Sequence, residues 1–254
     1  MRTKVMGIVN VTPDSFSDGG QFFKPEEAIR RARNLIDDGA DIIDLGGEST
    51  RPGATPLGWE EEWSRLEPVL SGLVQSFEQS NNPNNRTILS VDTYHPETAA
   101  RAIVAGAKII NCVSGEAVPE MLKLLDGNDV ELVMPAKSFF SPSTMHQVPS
   151  TMHQAPSTRL YLDPMIGFGT TREEDLKLLQ SVPELAKIGR VLVGASRKRI
   201  VKKLTGEKGD RVGKSVGGNV AIAVWCAMNG ASVVRVHDVK ETVQALRVIE
   251  ALQS

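Results

Sequence analysis

Short apolar runs, most of which end at a polar residue, alternate with helical patterns along the whole chain. Eight such runs can be counted, including residues 130–134. The other seven stop at or lead into Asn10, the segment 46–51, Asp92, Asn111, Asp163, the segment 196–198 and the segment 235–238. Alternating strands and helices predict a parallel sheet. Eight strands favour an α/β fold of the TIM (β/α)8 barrel class, whose carboxyl-end rim carries functional residues, over an open doubly wound sheet.

The helical patterns are recognised from apolar residues that recur every three or four positions. After Pro25 such a pattern runs to Gly39, a residue type that commonly follows a helix end. Further helices are predicted over residues 59–77, 96–105, 118–125, 173–185, 214–228 and 239–253. No such pattern follows the fifth strand, so the fifth barrel helix is predicted to be missing.

An internal repeat rich in proline, serine and threonine occupies residues 142–158. Its prolines at positions 142, 149 and 156 block a continuous helix. An extended or mobile loop is therefore expected in place of the fifth helix. His146 and His153 could act as metal ligands, but no cysteine or acidic residue accompanies them at ligand spacing, which favours solvated loop histidines.

The length of 254 residues fits one domain spanning residues 1–254. A content of 41% hydrophobic and 24% charged residues is typical of a water-soluble protein, and the formal net charge of -2 gives no reason to expect nucleic acid or an anionic membrane as partner. Cys112 and Cys226 do not form the pattern of a disulfide-rich protein. Neither a signal peptide nor a membrane-spanning run is recognised, so a cytoplasmic protein is expected.

Four strand ends carry an amide or a carboxylate, namely Asn10, Asp92, Asn111 and Asp163. In a barrel they converge on one rim, where they offer hydrogen-bond donors and acceptors to a planar heterocycle with amide and amino edges. Each could instead cap a following helix or turn. That alternative is strongest for Asp92, because aspartate is a favoured N-cap and a helix is predicted to begin at Pro96.

Positively charged and hydrogen-bond-donating side chains come to the same rim at Arg51, Lys198, Arg235 and His237. Arginine binds phosphate oxygens through paired hydrogen bonds, and a lysine at a helix start suits an anion. Arg51 could instead be a solvated loop charge, and Arg235 could form a rim salt bridge. The sequence has neither a G-x-G-x-x-G nor a Walker pattern, so neither a dinucleotide nor an ATP site is supported.

Two long segments carry a family resemblance. Residues 6–20 (MGIVNVTPDSFSDGG) and 46–53 (GGESTRPG) resemble the first two signatures of dihydropteroate synthases. Later signatures are matched in order by SVDTY at 90–94, IIN at 109–111, DP at 163–164, GFG at 167–169, SRK at 196–198 and RVHD at 235–238. The resemblance covers the chain except about residues 135–158, and it too implies a TIM barrel.

This resemblance implies a transferase of folate biosynthesis and a sulfonamide target. Its substrates would be 6-hydroxymethyl-7,8-dihydropterin pyrophosphate and p-aminobenzoate, and its products 7,8-dihydropteroate and pyrophosphate. The reaction is expected to begin with loss of pyrophosphate, leaving a pterin-stabilised methylene cation that the arylamine attacks. The resemblance also implies Mg²⁺ as cofactor and a homodimer as the assembly.

The same resemblance assigns roles to individual residues. The pterin would be held by Asp92, Asn111, Asp163 and Lys198. The pyrophosphate would be held by Asn10, Arg235 and His237, with Mg²⁺ at Asn10. The p-aminobenzoate pocket and the loops over the site would comprise Asp14, Ser15, Phe16, Thr50, Arg51, Pro52, Phe168, Lys198 and Arg199. Catalysis would rest on Asp92, Asp163, Lys198 and Arg235.

Four positions depart from the family pattern. Cys112 stands where the family has aspartate, Pro135 where it has the histidine of Met-His-Met, Met165 where it has the glycine of Asp-Pro-Gly, and Thr170 where it has a lysine. None of them is one of the residues expected to hold pterin or phosphate.

Two other functions stay open at this stage. One is a non-catalytic pterin-binding paralogue, and the other is a corrinoid-dependent methyltransferase of the same superfamily. The long segments around Asp14 and Arg51 favour the synthase over the methyltransferase, and a turnover assay separates the synthase from a silent binder.

Overall fold

The computed structural model describes residues 2–12, 24–48, 56–79, 87–139, 159–206 and 215–253. Within them, eight parallel strands follow one another around a closed barrel, and the last pairs with the first. The strands are β1 (Lys4–Asn10), β2 (Ile42–Gly46), β3 (Ile88–Asp92), β4 (Ile109–Asn111), β5 (Glu131–Pro135), β6 (Leu160–Asp163), β7 (Arg190–Val193) and β8 (Val233–Val236). The closed barrel expected from the strand count is confirmed, and the open sheet is wrong.

Successive side chains of each strand point to opposite faces of the sheet, so the strands contribute to two apolar cores. One core fills the inside of the barrel and consists of Met6, Ile42, Ile109, Val133, Tyr161, Leu192 and Val233. The other lies between the barrel and the helices and includes the intervening positions, such as Val5, Ile43, Leu89 and Val234. Because both faces of each strand are buried, the strands read as nearly continuous apolar runs. A polar residue at an inward position is therefore an exception that needs a partner.

Helices connect the strands. They are α1 (Pro25–Asp37), α2 (Trp59–Glu78), α3 (Pro96–Val104), α4 (Val118–Lys123), α5 (Ala136–Phe139), α6 (Arg172–Gln180), α7 (Val182–Ile188), α8 (Arg199–Thr205), α9 (Val216–Met228) and α10 (Val239–Gln253). The single helix predicted over residues 173–185 is wrong, because α6 and α7 are separated at Ser181. Pro183 has no N–H to continue the hydrogen bonding of α6, but it is tolerated in the first turn of a new helix. None of the helices in the described ranges is long and apolar enough to cross a membrane.

The barrel closes on the side where the fifth helix is predicted to be missing. Strands β5 and β6 pair from Leu132 with Leu160 to Pro135 with Asp163. Only one helical turn, α5, follows β5 in the described chain, and the repeat at residues 142–158 lies outside it. The predicted loop residues Asp14, Ser15, Phe16, Thr50, Arg51 and Pro52 also lie outside the described residues.

Candidate active site

Strand pairing places the predicted rim residues side by side at the carboxyl end of the barrel. Asn10 pairs with Gly46, Gly46 with Asp92, and Asp92 with Asn111, so one row of positions crosses four strands. Asp163 ends β6 on another part of the same rim and is 6% exposed. The N-cap of α3 is His95, without a side-chain cap, so the alternative that Asp92 caps this helix is wrong.

A buried carboxylate below this row was not predicted from the sequence. Asp44 is fully buried at an inward position of β2. It accepts hydrogen bonds from Ser90 Oγ at 2.5 Å, Asn111 Nδ2 at 3.2 Å and Arg235 Nε at 2.6 Å. Its only signal in the sequence is a charge inside an otherwise apolar run, which implies a buried partner.

Arg235 joins two acidic side chains of the site. Its Nε donates to Asp44 Oδ2, and its Nη2 donates to Asp92 Oδ2, each at 2.6 Å. The salt bridge considered as an alternative for Arg235 therefore exists, and it lies within the site. Such charge-assisted bonds in a buried setting fix the direction of all three side chains.

Burial shifts the charge states of the acids in this group. Burial raises the pKa of Asp92 to about 7, with Arg235 lowering it and Asp44 raising it further. Burial also raises the pKa of Asp163, and Lys198 opposes that shift. Among the described residues, Asn111 Oδ1 is a buried oxygen without a hydrogen-bond partner. A ligand with ring N–H groups would supply the missing donor.

Lys198 lies against a turn that follows β6. Its Nζ donates to Ile166 O at 2.7 Å and lies 4.3 Å from the centre of the Phe168 ring. Burial lowers the pKa of Lys198 to about 8, while Asp163 raises it. Arg199, the first residue of α8, is exposed and donates to Thr170 O at 3.4 Å. The three described residues among those expected at the p-aminobenzoate pocket therefore meet at one turn.

His237 follows β8 and is a neutral hydrogen-bonding group. Its Nδ1 lies 3.1 Å from Ser196 Oγ, and its backbone N–H donates to the same oxygen at 3.3 Å. Burial lowers the pKa of His237 to about 3, and Arg197 and Arg235 lower it further. Of the two groups expected to bind pyrophosphate from this strand, only Arg235 therefore brings a positive charge at neutral pH.

In the part of the chain that the structure describes, two residues other than glycine have a left-handed backbone, and both lie close to predicted site residues. Met165 has φ 64° and lies two residues after Asp163, whose Oδ1 accepts a bond from Met165 N at 2.7 Å. Arg197 has φ 60° and directly precedes Lys198. Left-handed backbone is costly for residues with a Cβ, and such strain is concentrated at functional sites.

Replacing Met165 by glycine should stabilise the protein by roughly 0.5–1 kcal/mol, because relief of the left-handed strain exceeds the entropy that glycine adds to the unfolded chain. The midpoint of urea unfolding measures the change. Met165→Ala is the matched control and should give no gain, since alanine keeps the Cβ. A glycine variant less stable than the alanine variant would show that strain is not what Met165 contributes.

Comparison with known proteins agrees with this geometry. The profile of a family described as pterin binding enzyme matches residues 6–155 and 151–237. The dihydropteroate synthase of Escherichia coli (strain K12) is 38% identical over 272 residues, covering 98% of this chain and 92% of that protein. A solved structure of Xanthomonas albilineans dihydropteroate synthase with 4-aminobenzoic acid matches with a TM-score of 0.84 at 38% identity, covering 100% of this chain and 94% of that one. The same enzyme in complex with 7,8-dihydropteroate gives a TM-score of 0.79 at 35% identity, with the same coverage. The chain therefore belongs to the dihydropteroate synthase family of pterin-binding enzymes.

Proposed function

We propose that this chain condenses 6-hydroxymethyl-7,8-dihydropterin pyrophosphate with p-aminobenzoate, and that it releases 7,8-dihydropteroate and pyrophosphate. It is thus a dihydropteroate synthase, a transferase of folate biosynthesis. The observation that carries the proposal is the set of buried acceptors at the barrel mouth. Asp44, Asp92 and Asp163 lie there with Asn111, whose Oδ1 has no hydrogen-bond partner in the described structure.

This acceptor set suits a dihydropterin. The ring system carries amino and ring N–H groups along its edge, and acidic side chains and an amide oxygen accept bonds from them. The roles proposed for Asp92, Asn111, Asp163 and Lys198 follow from this match. As pyrophosphate leaves, positive charge develops on the methylene carbon, and fixed carboxylates near the ring stabilise that charge.

Arg235 and His237 are proposed to hold the pyrophosphate end. Arg235 would supply positive charge, and the neutral imidazole of His237 would supply a hydrogen bond whose direction Ser196 fixes. Phe168, Lys198 and Arg199 are proposed to border p-aminobenzoate, so that its amine meets the methylene carbon. Holding the two substrates in line accounts for much of the rate enhancement in such a reaction.

Mg²⁺ is the proposed cofactor, with Asn10 as its protein ligand. Mg²⁺ is usually bound through one or two protein oxygens together with substrate phosphates. A Cβ placed on Gly46 would lie 4.0 Å from both Asn10 Oδ1 and Asp92 Oδ2, so two oxygens flank one point of the rim. Within the described ranges, no group of three or more His, Cys, Asp or Glu could hold a metal ion. The bound ion would neutralise charge on the departing pyrophosphate.

The proposal includes a homodimer and a cytoplasmic location. Leu204, Trp225 and Met228 on α8 and α9 are 49%, 40% and 57% exposed, and clustered exposed apolar side chains are typical of protein contacts. Sedimentation equilibrium of the chain tests the dimer. Cys112 and Cys226 are buried free thiols, as expected in a reducing compartment.

A coupled assay for pyrophosphate tests the reaction. Pyrophosphate release should depend on p-aminobenzoate and should match the dihydropteroate formed. Binding of the pterin substrate without release of pyrophosphate would instead identify a non-catalytic pterin-binding protein. Steady-state pyrophosphate release that neither depends on p-aminobenzoate nor forms dihydropteroate would contradict the proposed acceptor.

Turnover should fall as the pH rises through about 8. Burial lowers the pKa of Lys198 to about that value, so its ammonium loses a proton there, together with the positive charge that strengthens its bond to Ile166 O. The charged groups that influence Lys198 are Asp163, Arg235, Asp92 and Asp175. A pH profile of kcat/KM for p-aminobenzoate measures this limb. A profile that stays flat from about pH 7 to pH 10 would contradict a role for the charged lysine.

A further inference from the structure

The turn between β6 and α6 holds an unfavourable backbone conformation. Met165, Gly167 and Gly169 have φ values of 64°, 79° and 68°, so every second residue is left-handed. Glycine reduces the steric cost of positive φ at two of these positions, but it also gives the backbone access to more conformations. Such a segment keeps one shape only if the surrounding structure holds it.

Two carboxylates hold this turn. At its start, Asp163 Oδ1 accepts from Met165 N. In its middle, Asp175 Oδ1 accepts from Gly167 N at 2.7 Å and from Thr170 Oγ1 at 2.5 Å. Gly167 N also lies 3.1 Å from Thr170 Oγ1, so the three groups form a closed set.

Asp175 belongs to a helix whose start is capped by side-chain bonds. It lies in the first turn of α6 and is fully buried. The start of α6 is fixed by reciprocal bonds between Thr171 and Glu174, at 2.7 and 3.2 Å. The other oxygen of Asp175, Oδ2, has no hydrogen-bond partner in the described structure, so Oδ1 alone carries the contact with the turn.

The opposite side of the turn contacts Lys198 and carries Phe168, two residues proposed to border p-aminobenzoate. Ile166 O accepts from Lys198 Nζ, and the Phe168 ring lies under the same ammonium. A Cβ on Gly167 would come within 3.0 Å of Lys198 Cδ, so the backbone of the turn packs directly on the lysine stem. Any displacement of the turn therefore displaces Lys198 and Phe168 together.

We propose that Asp175 and Thr170 are positioning residues for the p-aminobenzoate pocket, acting through the turn that places Phe168 and Lys198. The inference rests on the proposed synthase function and deepens it. In this role Asp175 and Thr170 act through the turn rather than by contact with a substrate, and they fix the positions of the two side chains proposed to border the arylamine.

Four variants and one control test the idea. Asp175→Ala and Thr170→Val remove the anchor, whereas Asp175→Asn and Thr170→Ser keep an acceptor or hydroxyl in place. Thr3→Val is the matched control, because Thr3 makes one hydroxyl bond to Ala231 O at the opposite end of the barrel. In Asp175→Ala and Thr170→Val, the loss of one to two hydrogen bonds should raise KM for p-aminobenzoate roughly tenfold or more. KM for the pterin pyrophosphate should change much less, and the conservative variants and the control should resemble the unmodified protein.

A second readout needs no substrate. Acylation of Lys198, followed by peptide mass spectrometry, should be faster in Asp175→Ala and Thr170→Val than in Asp175→Asn and Thr3→Val. If the unmodified protein turns over normally, and Asp175→Ala and Thr170→Val change neither KM for p-aminobenzoate nor the acylation rate, the inference is overturned. The proposed synthase function would still stand. Equal rises in both KM values that follow the loss of stability in urea, or an asparagine variant as poor as alanine, would also overturn the inference. Failure of the unmodified protein to turn over, with the expected acylation pattern, would instead count against the synthase function.

Discussion

The Arg235→Met variant should lose about 3–5 kcal/mol of unfolding free energy near pH 8, because two buried carboxylates lose their shared cation. The Arg235 side chain is 17% exposed, and the side chains of Asp44 and Asp92 are 0% and 12% exposed. Solvent therefore does little to screen the charges left behind. Methionine preserves much of the apolar stem, so the loss reports the charge more than a cavity. Urea unfolding measures it.

The loss caused by Arg235→Met should shrink as the pH falls towards 6. Asp92 already has a pKa of about 7 beside Arg235, and the arginine lowers that pKa. Without the arginine, folded Asp92 binds a proton at a higher pH, so lowering the pH relieves the unpaired charge. Arg2→Met is the control, since Arg2 is 52% exposed in its pair with Asp41 and should cost less than about 1 kcal/mol at either pH. An equal loss at both pH values would rule out the charge of Asp92 as the cause.

Loss of Arg235 should also weaken both pterin ligands. The sequence alone assigns Arg235 to the pyrophosphate, so it predicts that an alanine variant weakens the pyrophosphate ester far more than free hydroxymethylpterin. The bonds to Asp44 and Asp92 give the arginine a second role, because it orients acids proposed to lie in the pterin pocket. Calorimetry with the two ligands separates these roles, and a loss confined to the ester would mean that Asp44 and Asp92 keep their positions unaided.

Local patterns predicted the barrel and the row of rim residues well. A strand end can be recognised from a few neighbouring residues, and parallel pairing then brings all strand ends to one rim. Asn10, Asp92 and Asn111 lie in one register for that reason. Lys198 at the start of α8 followed from the same kind of local signal.

Contacts between distant parts of the chain were not predictable in this way. Asp44 was missed because its partner Arg235 is 191 positions away. The turn anchor was missed because Asp175 looks like an ordinary acid in the first turn of a helix, where acids are favoured anyway. The left-handed backbone of Met165 leaves no trace in the sequence except the family's glycine at that position. Pro183 signals the break between α6 and α7, but apolar residues at helical spacing continue across it, so a single helix was predicted.

Removal of Asp163 tests the pterin pocket most directly. Asp163→Ala should abolish detectable pterin binding, since the loss of a buried charged acceptor costs roughly 2–4 kcal/mol of binding energy. The variant should still fold, because Asp163 ends β6 and leaves the inner apolar core intact. Asp129→Ala is the matched control, because Asp129 is 99% exposed and lies before β5, away from the mouth. Unchanged pterin affinity by calorimetry would refute the role of Asp163.

Asp163→Asn distinguishes the two contributions of this carboxylate. Its Oδ1 anchors the strained turn through Met165 N, whereas its negative charge is the part proposed to bind the pterin N–H edge. Asparagine keeps an oxygen for Met165 but loses the charge and presents a donor where the ligand also presents donors. The asparagine variant should therefore bind pterin nearly as poorly as alanine. Both variants lose the charge that raises the pKa of Lys198, but only asparagine keeps the bond to Met165 N, so Lys198 should be acylated more slowly in the asparagine variant than in the alanine variant. If asparagine instead restored pterin binding, the charge would be unnecessary, and the contribution of Asp163 would be to hold the turn and, through it, Lys198.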